Sequence, residues 1–271
     1  MAATRRIFAF GGGHYGQHRD TYDREKPEGG YWPLDTKPVD DLIVAAAGVD
    51  APNVLVVTTA SEDGRRKADL LYEANQRRWG AYGAATQVLK LVEENPSVSE
   101  IEAAMGAADI VFVSGGNSVQ MIERWRDLGV DRLLREAYER GVVMSGLSAG
   151  AICWFRYGNS DSFYTGEPFR VEAMGWFDAV MCPHYDSEVF RQEPLKKMVR
   201  RTPNMVGIAL DEYAVIEILD DCAYRVHACR VGARAQRCWW DADTYHTQSV
   251  EPSPAWADLK ALLTVPAGDS L

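Results

Sequence analysis

The sequence predicts an α/β fold in which helices flank a mainly parallel sheet, with an antiparallel meander at the C-terminal end. Three observations support this prediction. Short β-branched runs alternate with segments of helical periodicity, glycines follow several of these runs directly, and after about residue 214 the strand-like runs follow one another without helices between them. Strands separated by helical segments of about 10 to 15 residues are typical of βαβ units and therefore of a parallel sheet.

The first half of the chain supplies most of the parallel sheet. Its predicted strands are short, continuous apolar or β-branched runs, as in strands that are covered on both faces. These runs lie at 7–10, 53–59, 86–92 and 110–113. The segments between them show the apolar spacing of helices. The predicted helices are 39–48, 67–79, 98–107, 119–128 and 132–140.

Beyond residue 155 the pattern is looser. Residues 157–175 combine aromatic, acidic and small side chains and are predicted to form loops or short strands that line a cleft. A strand, a basic-ended helix and a further strand are predicted next, at 179–182, 188–201 and 205–210. The predicted meander then consists of runs bounded by turn signals. These runs lie at 214–219, 224–231 and 236–240.

No linker interrupts the chain, so we expect a single domain over residues 1–271. Residues at about 13–37 are polar and have no clear period, which predicts a surface insertion of the kind that often forms a functional lid. Gly11, Gly12 and Gly13 follow the first strand, where the backbone is expected to pass close to another group or to turn at positive φ.

Composition limits the classes of partner. The net charge is −10 and no face-length basic run occurs, which argues against nucleic acid or an anionic membrane and favours a small-molecule partner. The five cysteines are odd in number and lack C-x-x-C spacing, which disfavours a disulfide framework and a zinc site and fits a reducing cytosol. The apolar stretch near residue 10 is too short for a signal peptide and no run approaches about 18 apolar residues, so no targeting or membrane-spanning segment is expected. An exposed edge strand or the meander could pair in a homodimer.

A nucleophile elbow is predicted at residues 142–155, V-V-M-S-G-L-S-A-G-A-I-C-W-F. Ser148 stands at the centre of G-L-S-A-G, which matches the G-x-S-x-G pattern. In this motif the glycines allow a turn tight enough to expose a serine Oγ above a sheet. A β-branched run precedes the turn and small apolar residues follow it, as an elbow between a strand and a helix requires. The alternative is an ordinary turn whose serine caps the helix.

A serine nucleophile needs a base, and His184 is the preferred candidate because it directly follows a predicted strand. Two other histidines, His227 and His246, belong to the predicted meander. His14 and His18 have the i, i+4 spacing of a metal pair on a helix, but no third ligand accompanies them, so no metal is predicted.

The acid that orients the base is left open between Glu212 and Asp161, with Asp186 and Asp211 as further candidates. An oxyanion would be held by backbone N–H groups. The N–H of Ala149 is one predicted donor. The loop after the strand at 110–113 supplies the other predicted donor or substrate contact, through Gly115, Gly116 and Asn117.

Five short motifs occur together and in a fixed order, and the resemblance that they carry covers roughly residues 7–219. They are S-G-G-N-S at 114–118, G-L-S-A-G-A at 146–151, N-S-D-S at 159–162, P-H-Y at 183–185 and A-L-D-E at 209–212. Together they resemble the peptidase E family of serine peptidases, family S51, which has cyanophycinase as a relative. The resemblance implies the fold of class I glutamine amidotransferases, with serine in place of cysteine.

The resemblance also implies a hydrolase without a cofactor, with Ser148 as nucleophile and His184 as base. The family is divided between an aspartate at the position of Asp161 and a glutamate at that of Glu212. We favour Glu212, with Asp161 nearby to hold the site or the substrate ammonium. Three features depart from the family pattern: the insertion, the bulky W-F-R-Y after the elbow and the extension beyond about residue 224.

The resulting prediction is a cytoplasmic dipeptidase that acts on short peptides with an N-terminal Asp (Asp-X). The side-chain carboxylate of this N-terminal Asp would need a cation in the site. Candidates are Arg156, Arg170 and Arg191. The alternatives are a hydrolase of β-aspartyl links, a noncatalytic module that binds an amino acid or peptide, and a thiol enzyme that uses Cys153 or Cys182.

Overall fold

The structure is a computed structural model that describes residues 3–19, 30–62, 68–163 and 166–266, without the side chains of residues 68 and 69. Its strands are β1 (Arg6–Phe10), β2 (Asn53–Val57), β3 (Ala85–Leu89), β4 (Ile110–Val113), β5 (Val143–Leu147), β6 (Phe155–Ser160), β7 (Phe169–Glu172), β8 (Phe177–Cys182), β9 (Val206–Leu210), β10 (Ala214–Leu219), β11 (Ala223–Ala228), β12 (Ala235–Asp241), β13 (Thr244–Val250) and β14 (Ala257–Asp258). Its α-helices are α1 (Lys37–Ala47), α2 (Ala68–Gly80), α3 (Val98–Ala107), α4 (Ser118–Leu128), α5 (Val130–Glu139), α6 (Ala149–Ile152), α7 (Gln192–Arg200) and α8 (Leu259–Leu263).

The first sheet has the order β14-β11-β10-β1-β5-β4-β2-β3. The strands from β1 to β3 in this order pair in parallel, whereas β10, β11 and β14 are antiparallel to their neighbours. The prediction of a mainly parallel sheet with an antiparallel C-terminal part is therefore confirmed. The carboxyl ends of β1, β5 and β4 lie side by side, which is where parallel sheets place their ligand sites.

A second sheet has the order β13-β12-β9-β8-β6-β7. Its centre, β6-β8-β9, is parallel, and its outer strands are antiparallel. The predicted meander is thus divided, because β10 and β11 belong to the first sheet and β12 to the second. Loops or short strands were predicted at 157–175, and the structure has short strands there, β6 and β7. Residues 164 and 165 lie outside the described residues.

Burial on both faces explains the continuous apolar strands. In β1, Ile7 and Ala9 point into a core that α3, α4 and α5 cover, while Phe8 and Phe10 point into a core that α1 and α2 cover. Successive side chains of a strand face opposite sides, so a strand with helices on both sides needs apolar residues at every position. A third, smaller core lies between α7 and the second sheet.

The helix predicted after β8 begins later in the structure than in the prediction. The predicted helix at 188–201 is a 3-10 turn at Val189–Arg191 followed by α7. Pro194 lies in the first turn of α7, where its missing N–H is tolerated. The predicted start of α2 at residue 67 lies outside the described residues.

The segment predicted as an insertion forms an antiparallel arm. Its two sides, residues 13–19 and 30–36, are joined by the bridges Tyr15↔Leu34 and His18↔Tyr31, and residues 20–29 lie outside the described residues. Tyr15 and Thr36 are buried. The base of the arm is therefore part of the interior rather than a surface loop.

None of the described helices is both long and apolar enough to cross a bilayer.

Candidate active site

Ser148 lies between the end of β5 and the first residue of α6, at φ 58° and ψ −110°. This conformation is strained for a residue with a Cβ, and it persists because the flanking glycines pack without side chains. A Cβ on Gly146 would lie 2.1 Å from the carbonyl oxygen of Gly150, and a Cβ on Gly150 would lie 2.2 Å from that of Val113. The local geometry is that of a nucleophile elbow, and Ser148 is partly exposed at its tip.

The elbow is fixed to the centre of the sheet. The N–H of Ser148 donates to the carbonyl oxygen of Phe10 at the end of β1 (3.1 Å), and its carbonyl oxygen accepts from Ile152 in α6 (2.9 Å). Among the described residues, no hydrogen bond joins Ser148 Oγ to His184. Contacts of this kind often tighten only when substrate is bound.

His184 and Glu212 form a close pair. β8 and β9 are parallel neighbours, so the residues that follow their carboxyl ends lie at the same edge of the second sheet. His184 Nδ1 lies 2.6 Å from Glu212 Oε2, and Ser187 Oγ donates to the same oxygen at 3.2 Å. The N–H of His184 donates to the carbonyl oxygen of Gly11 at 3.0 Å, which ties this pair to the end of β1.

Glu212 is ionised at neutral pH. Burial opposes its charged form, but the hydrogen bond and charge of His184, together with the hydrogen bond from Ser187, outweigh burial and hold the pKa of Glu212 below its ordinary value. Its backbone N–H also donates to Asp186 Oδ1 at 2.6 Å. An ionised carboxylate on Nδ1 keeps the proton on that nitrogen, which leaves Nε2 of His184 free to accept one.

Gly12 allows this pair to form. A Cβ at Gly12 would lie 2.2 Å from Glu212 Oε2 and 2.5 Å from His184 Nδ1. The sequence indicated a close approach at Gly11 to Gly13 but not the groups involved. The structure shows that the glycine loop after β1 makes room for the carboxylate and the imidazole.

We expect Gly12→Ala to lower kcat by about 100-fold or more, because displacement of catalytic groups by about 1 Å has effects of this size. The conflicting atoms are the ends of side chains, so the fold should persist. Gly106→Ala is the matched control, since nothing lies within 4 Å of a Cβ at that helical position. It should keep wild-type activity and raise the free energy of unfolding by about 1 kcal/mol. Steady-state kinetics and thermal unfolding of both variants provide the measurement, and an active Gly12→Ala would contradict this steric account.

Asp161 does not contact His184. Its Oδ1 lies 3.0 Å from Nη2 of Arg191, whose buried guanidinium also binds Glu188 (2.5 Å) and the carbonyl oxygen of Asn159 (2.9 Å). Of the two rival acids, the geometry therefore pairs Glu212 with the imidazole and Asp161 with an arginine.

The remaining candidate acids have backbone partners. Asp186 accepts from Glu212, as described above. Asp211 accepts from the N–H of Arg234 at 3.3 Å, and burial raises the pKa of Asp211.

The three candidate arginines all have partners. Arg191 is neutralised by Asp161 and Glu188, as described above. Arg156 pairs with Asp178 at 2.5 Å. The guanidinium of Arg170 donates to Thr202 Oγ1 at 2.7 Å and lies over the ring of Tyr157.

The predicted oxyanion loop lies beside the elbow. A Cβ on Gly115 would be 3.1 Å from Ser148 Cβ. Gly116 adopts φ 140°. Asn117 caps α4, because its side chain accepts from Gln120 N at 3.0 Å. The loop at Gly115 therefore lies against Ser148. The next residue, Ala149, is the first residue of α6.

Ser162 supports this loop and was not singled out as a separate candidate by the sequence. Its Oγ accepts from the N–H groups of Ser118 (2.8 Å) and Val119 (3.3 Å) in the first turn of α4. Ser187 was missed as well. Its position three residues after His184 was the available signal.

Both candidate thiols are unsuited to act as nucleophiles. Cys153 and Cys182 are fully buried, and burial raises the pKa of each thiol well above its ordinary value. Since the thiolate is the reactive form, neither cysteine is activated at neutral pH.

The described residues contain no group of three His, Cys, Asp or Glu side chains that could hold a metal ion. His14 instead stacks on Trp32 and lies 2.9 Å from the hydroxyl of Tyr213.

Comparisons with known proteins agree with this architecture. The chain is 28% identical over 233 residues to the Bacillus subtilis (strain 168) protein named uncharacterized peptidase YgaJ, which covers 86% of this chain and 91% of that protein. It is 25% identical over 169 residues to peptidase E of Citrobacter koseri. The matched region covers 57% of this chain and 74% of that relative. The structure is similar to the crystal structure of a peptidase from an acI-B1 Actinobacterium, with a TM-score of 0.70, 12% sequence identity and coverage of 95% of this chain and 97% of the other.

The structural likeness shows the fold, which is the class I glutamine amidotransferase-like fold that the motifs implied. A family model described as peptidase family S51 matches residues 34–226, a range that contains the elbow, His184 and Glu212. The chain therefore belongs to peptidase family S51.

Proposed function

We propose that the protein is a serine peptidase that hydrolyses short peptides, with Ser148 as nucleophile, His184 as general base and Glu212 as the acid that orients the base. The observation that carries this proposal is the 2.6 Å contact between His184 Nδ1 and Glu212 Oε2. His184 and the Ser148 elbow both donate backbone hydrogen bonds to the end of β1, at Gly11 and Phe10.

The proposed reaction follows from the roles of these groups. Ser148 Oγ attacks the peptide carbonyl carbon while Nε2 of His184 accepts its proton, and the Glu212 carboxylate stabilises the imidazolium that forms. The N–H groups of Gly116 and Ala149 hold the oxyanion, each worth about 3 kcal/mol by comparison with other enzymes. His184 then protonates the leaving amine. Water, deprotonated by His184, hydrolyses the acyl-enzyme.

We propose dipeptides with an N-terminal Asp as the first substrates to test, because the relatives named peptidase E and the five shared motifs support this class. Asp161 would then face the substrate ammonium. The three arginines considered as partners of the substrate carboxylate already have partners, so the charge balance of the described residues does not by itself favour an acidic side chain.

The decisive experiment for substrate class is hydrolysis of a dipeptide library by the purified protein, with release of free amino acids as the readout. We expect cleavage, with Asp-X dipeptides cleaved faster than their Ala-X counterparts. Cleavage without preference for Asp would remove the specificity and leave the serine chemistry. If the protein binds dipeptides and releases no amino acid, it is a noncatalytic binding module instead and the proposal is wrong.

A further inference from the structure

The arm formed by residues 13–19 and 30–36 begins directly at the glycine loop that accommodates His184 and Glu212. Its two sides are joined by backbone hydrogen bonds, from Trp32 N to the carbonyl oxygen of Gln17 (2.9 Å) and from Asp35 N to that of His14 (2.9 Å). His14 and Trp32 precede residue 34, where the match to the family begins.

His14 is held by three residues. Its ring stacks on Trp32, with 4.2 Å between centroids and 13° between planes. Its Nδ1 lies 2.9 Å from the hydroxyl of Tyr213 and 3.5 Å from Asp35 Oδ2. The imidazole is thus oriented by the opposite side of the arm, residues 30–36, and by the segment that follows β9.

The hydrogen bond between His14 and Tyr213 joins two uncharged groups. Burial lowers the pKa of His14, and burial also raises the pKa of Tyr213, so both groups are neutral at neutral pH. A neutral imidazole and a phenol can each donate or accept, so this hydrogen bond forms in either tautomer of His14.

Tyr213 is the residue after Glu212, and both its backbone and its ring have partners. Its backbone is in the left-handed region at φ 68°. Its N–H donates to the carbonyl oxygen of Gly12 (3.3 Å), and its own carbonyl oxygen accepts from Cys229 N (2.8 Å). The guanidinium of Arg230 lies 3.9 Å from the centre of its ring.

Arg230 closes the arrangement, because its guanidinium also binds Asp35 Oδ2 at 2.7 Å. His14, Trp32 and Asp35 of the arm are therefore clamped around Tyr213. We call His14, Trp32, Asp35, Tyr213 and Arg230 the clamp. Both His14 and Tyr213 also lie near enough to Glu212 to interact with its charge.

We propose that the clamp sets the position of Glu212 and that His14 is its positioning residue, acting through the hydroxyl of Tyr213. This inference rests on the proposed function. Glu212 has to meet Nδ1 of His184 while its side chain is partly open to solvent, so its rotamer needs support from the adjacent residue. The arm supplies that support across 199 positions of the chain.

The test compares His14→Phe with His14→Asn. Phenylalanine keeps a ring that can stack on Trp32 but removes the hydrogen-bonding nitrogen Nδ1, whereas the side-chain amide of asparagine restores both a donor and an acceptor near that position. We expect His14→Phe to lower kcat about tenfold with KM changed less than twofold, the scale on which supporting partners of site residues act. His14→Asn should recover part of this loss. The matched control is His18→Phe, because His18 lies in the same arm and packs against Tyr31 instead of Tyr213; it should keep wild-type kcat.

A second variant, Tyr213→Phe, removes a single oxygen atom and keeps the ring under Arg230. It should lower kcat to the same extent as His14→Phe, and the double variant should lose no more than either single variant, since both remove one hydrogen bond. If the wild type hydrolyses peptides and both single variants keep its kcat, this inference is wrong but the proposed function stands. The inference is also wrong if the losses of the two single variants multiply in the double variant. A wild type that hydrolyses no peptide overturns the proposed function, and this inference with it.

Discussion

Ser148→Ala is expected to lower kcat for peptide hydrolysis by about 10⁶-fold, the loss seen when a serine nucleophile is removed from an intact triad. The strained turn at Ser148 accepts alanine as well as serine because both have a Cβ, so the loss would report the missing Oγ and not an altered fold. Steady-state kinetics on the best dipeptide substrate, with thermal unfolding of each variant, measure this.

Ser249→Ala is the matched control for that substitution. Ser249 is exposed in β13, and its Oγ donates to Glu251, just after that strand. Its kcat should equal that of the wild type. An active Ser148→Ala would show that another group performs the attack.

Glu212→Gln is expected to lower kcat by about 10⁴-fold, as the equivalent change of the triad carboxylate does in other serine peptidases. The glutamine is nearly isosteric, but it carries no charge to stabilise the imidazolium. It can also donate to Nδ1 of His184 and so fix the wrong tautomer. We expect KM to change far less than kcat, because the carboxylate lies behind the imidazole.

Asp161→Asn is the comparison that separates the two rival acids. Asp161 binds Arg191, which retains Glu188 as a partner after the substitution. We expect less than about a tenfold loss of kcat. A larger loss in Asp161→Asn than in Glu212→Gln would assign the role of the acid to Asp161.

The local features of the site were predictable because they depend on few residues in sequence. The elbow follows from G-L-S-A-G, since glycine at 146 and 150 is required by contacts within the same turn and with the adjacent β4. The strand ends that carry His184 and Glu212 follow from apolar runs that stop at Cys182 and Leu210. The joint order of the five motifs predicted family S51, and the match to the family model confirms this prediction.

The choice between Glu212 and Asp161 could not be made from the sequence, because it depends on which cation each carboxylate meets. Arg191 is buried after folding and takes Asp161, whereas the register of β8 with β9 brings Glu212 to His184. Neither pairing has a signature in residue type or spacing.

Other misses have the same origin. β13 is mostly exposed and polar, T-Y-H-T-Q-S-V, so it lacks the apolar alternation that predicts a strand and is ordered by its pairing with β12. Of the three partners of His14, Trp32 and Asp35 belong to the same arm, whereas Tyr213 is distant in sequence. The contact of His14 with Tyr213 depends on the pairing of β1 with β10, because Tyr213 directly precedes β10.

The most direct test of Ser148 as nucleophile is reaction of the protein with a fluorophosphonate, followed by mass spectrometry of its peptides. The phosphorus forms a bond to an activated serine Oγ as fluoride leaves, so the reagent reports the nucleophile itself. We predict one adduct, on Ser148, that is absent in Ser148→Ala and strongly slowed in His184→Ala. A protein that hydrolyses peptides yet takes up no label at Ser148, or carries the adduct on another residue, would contradict this assignment.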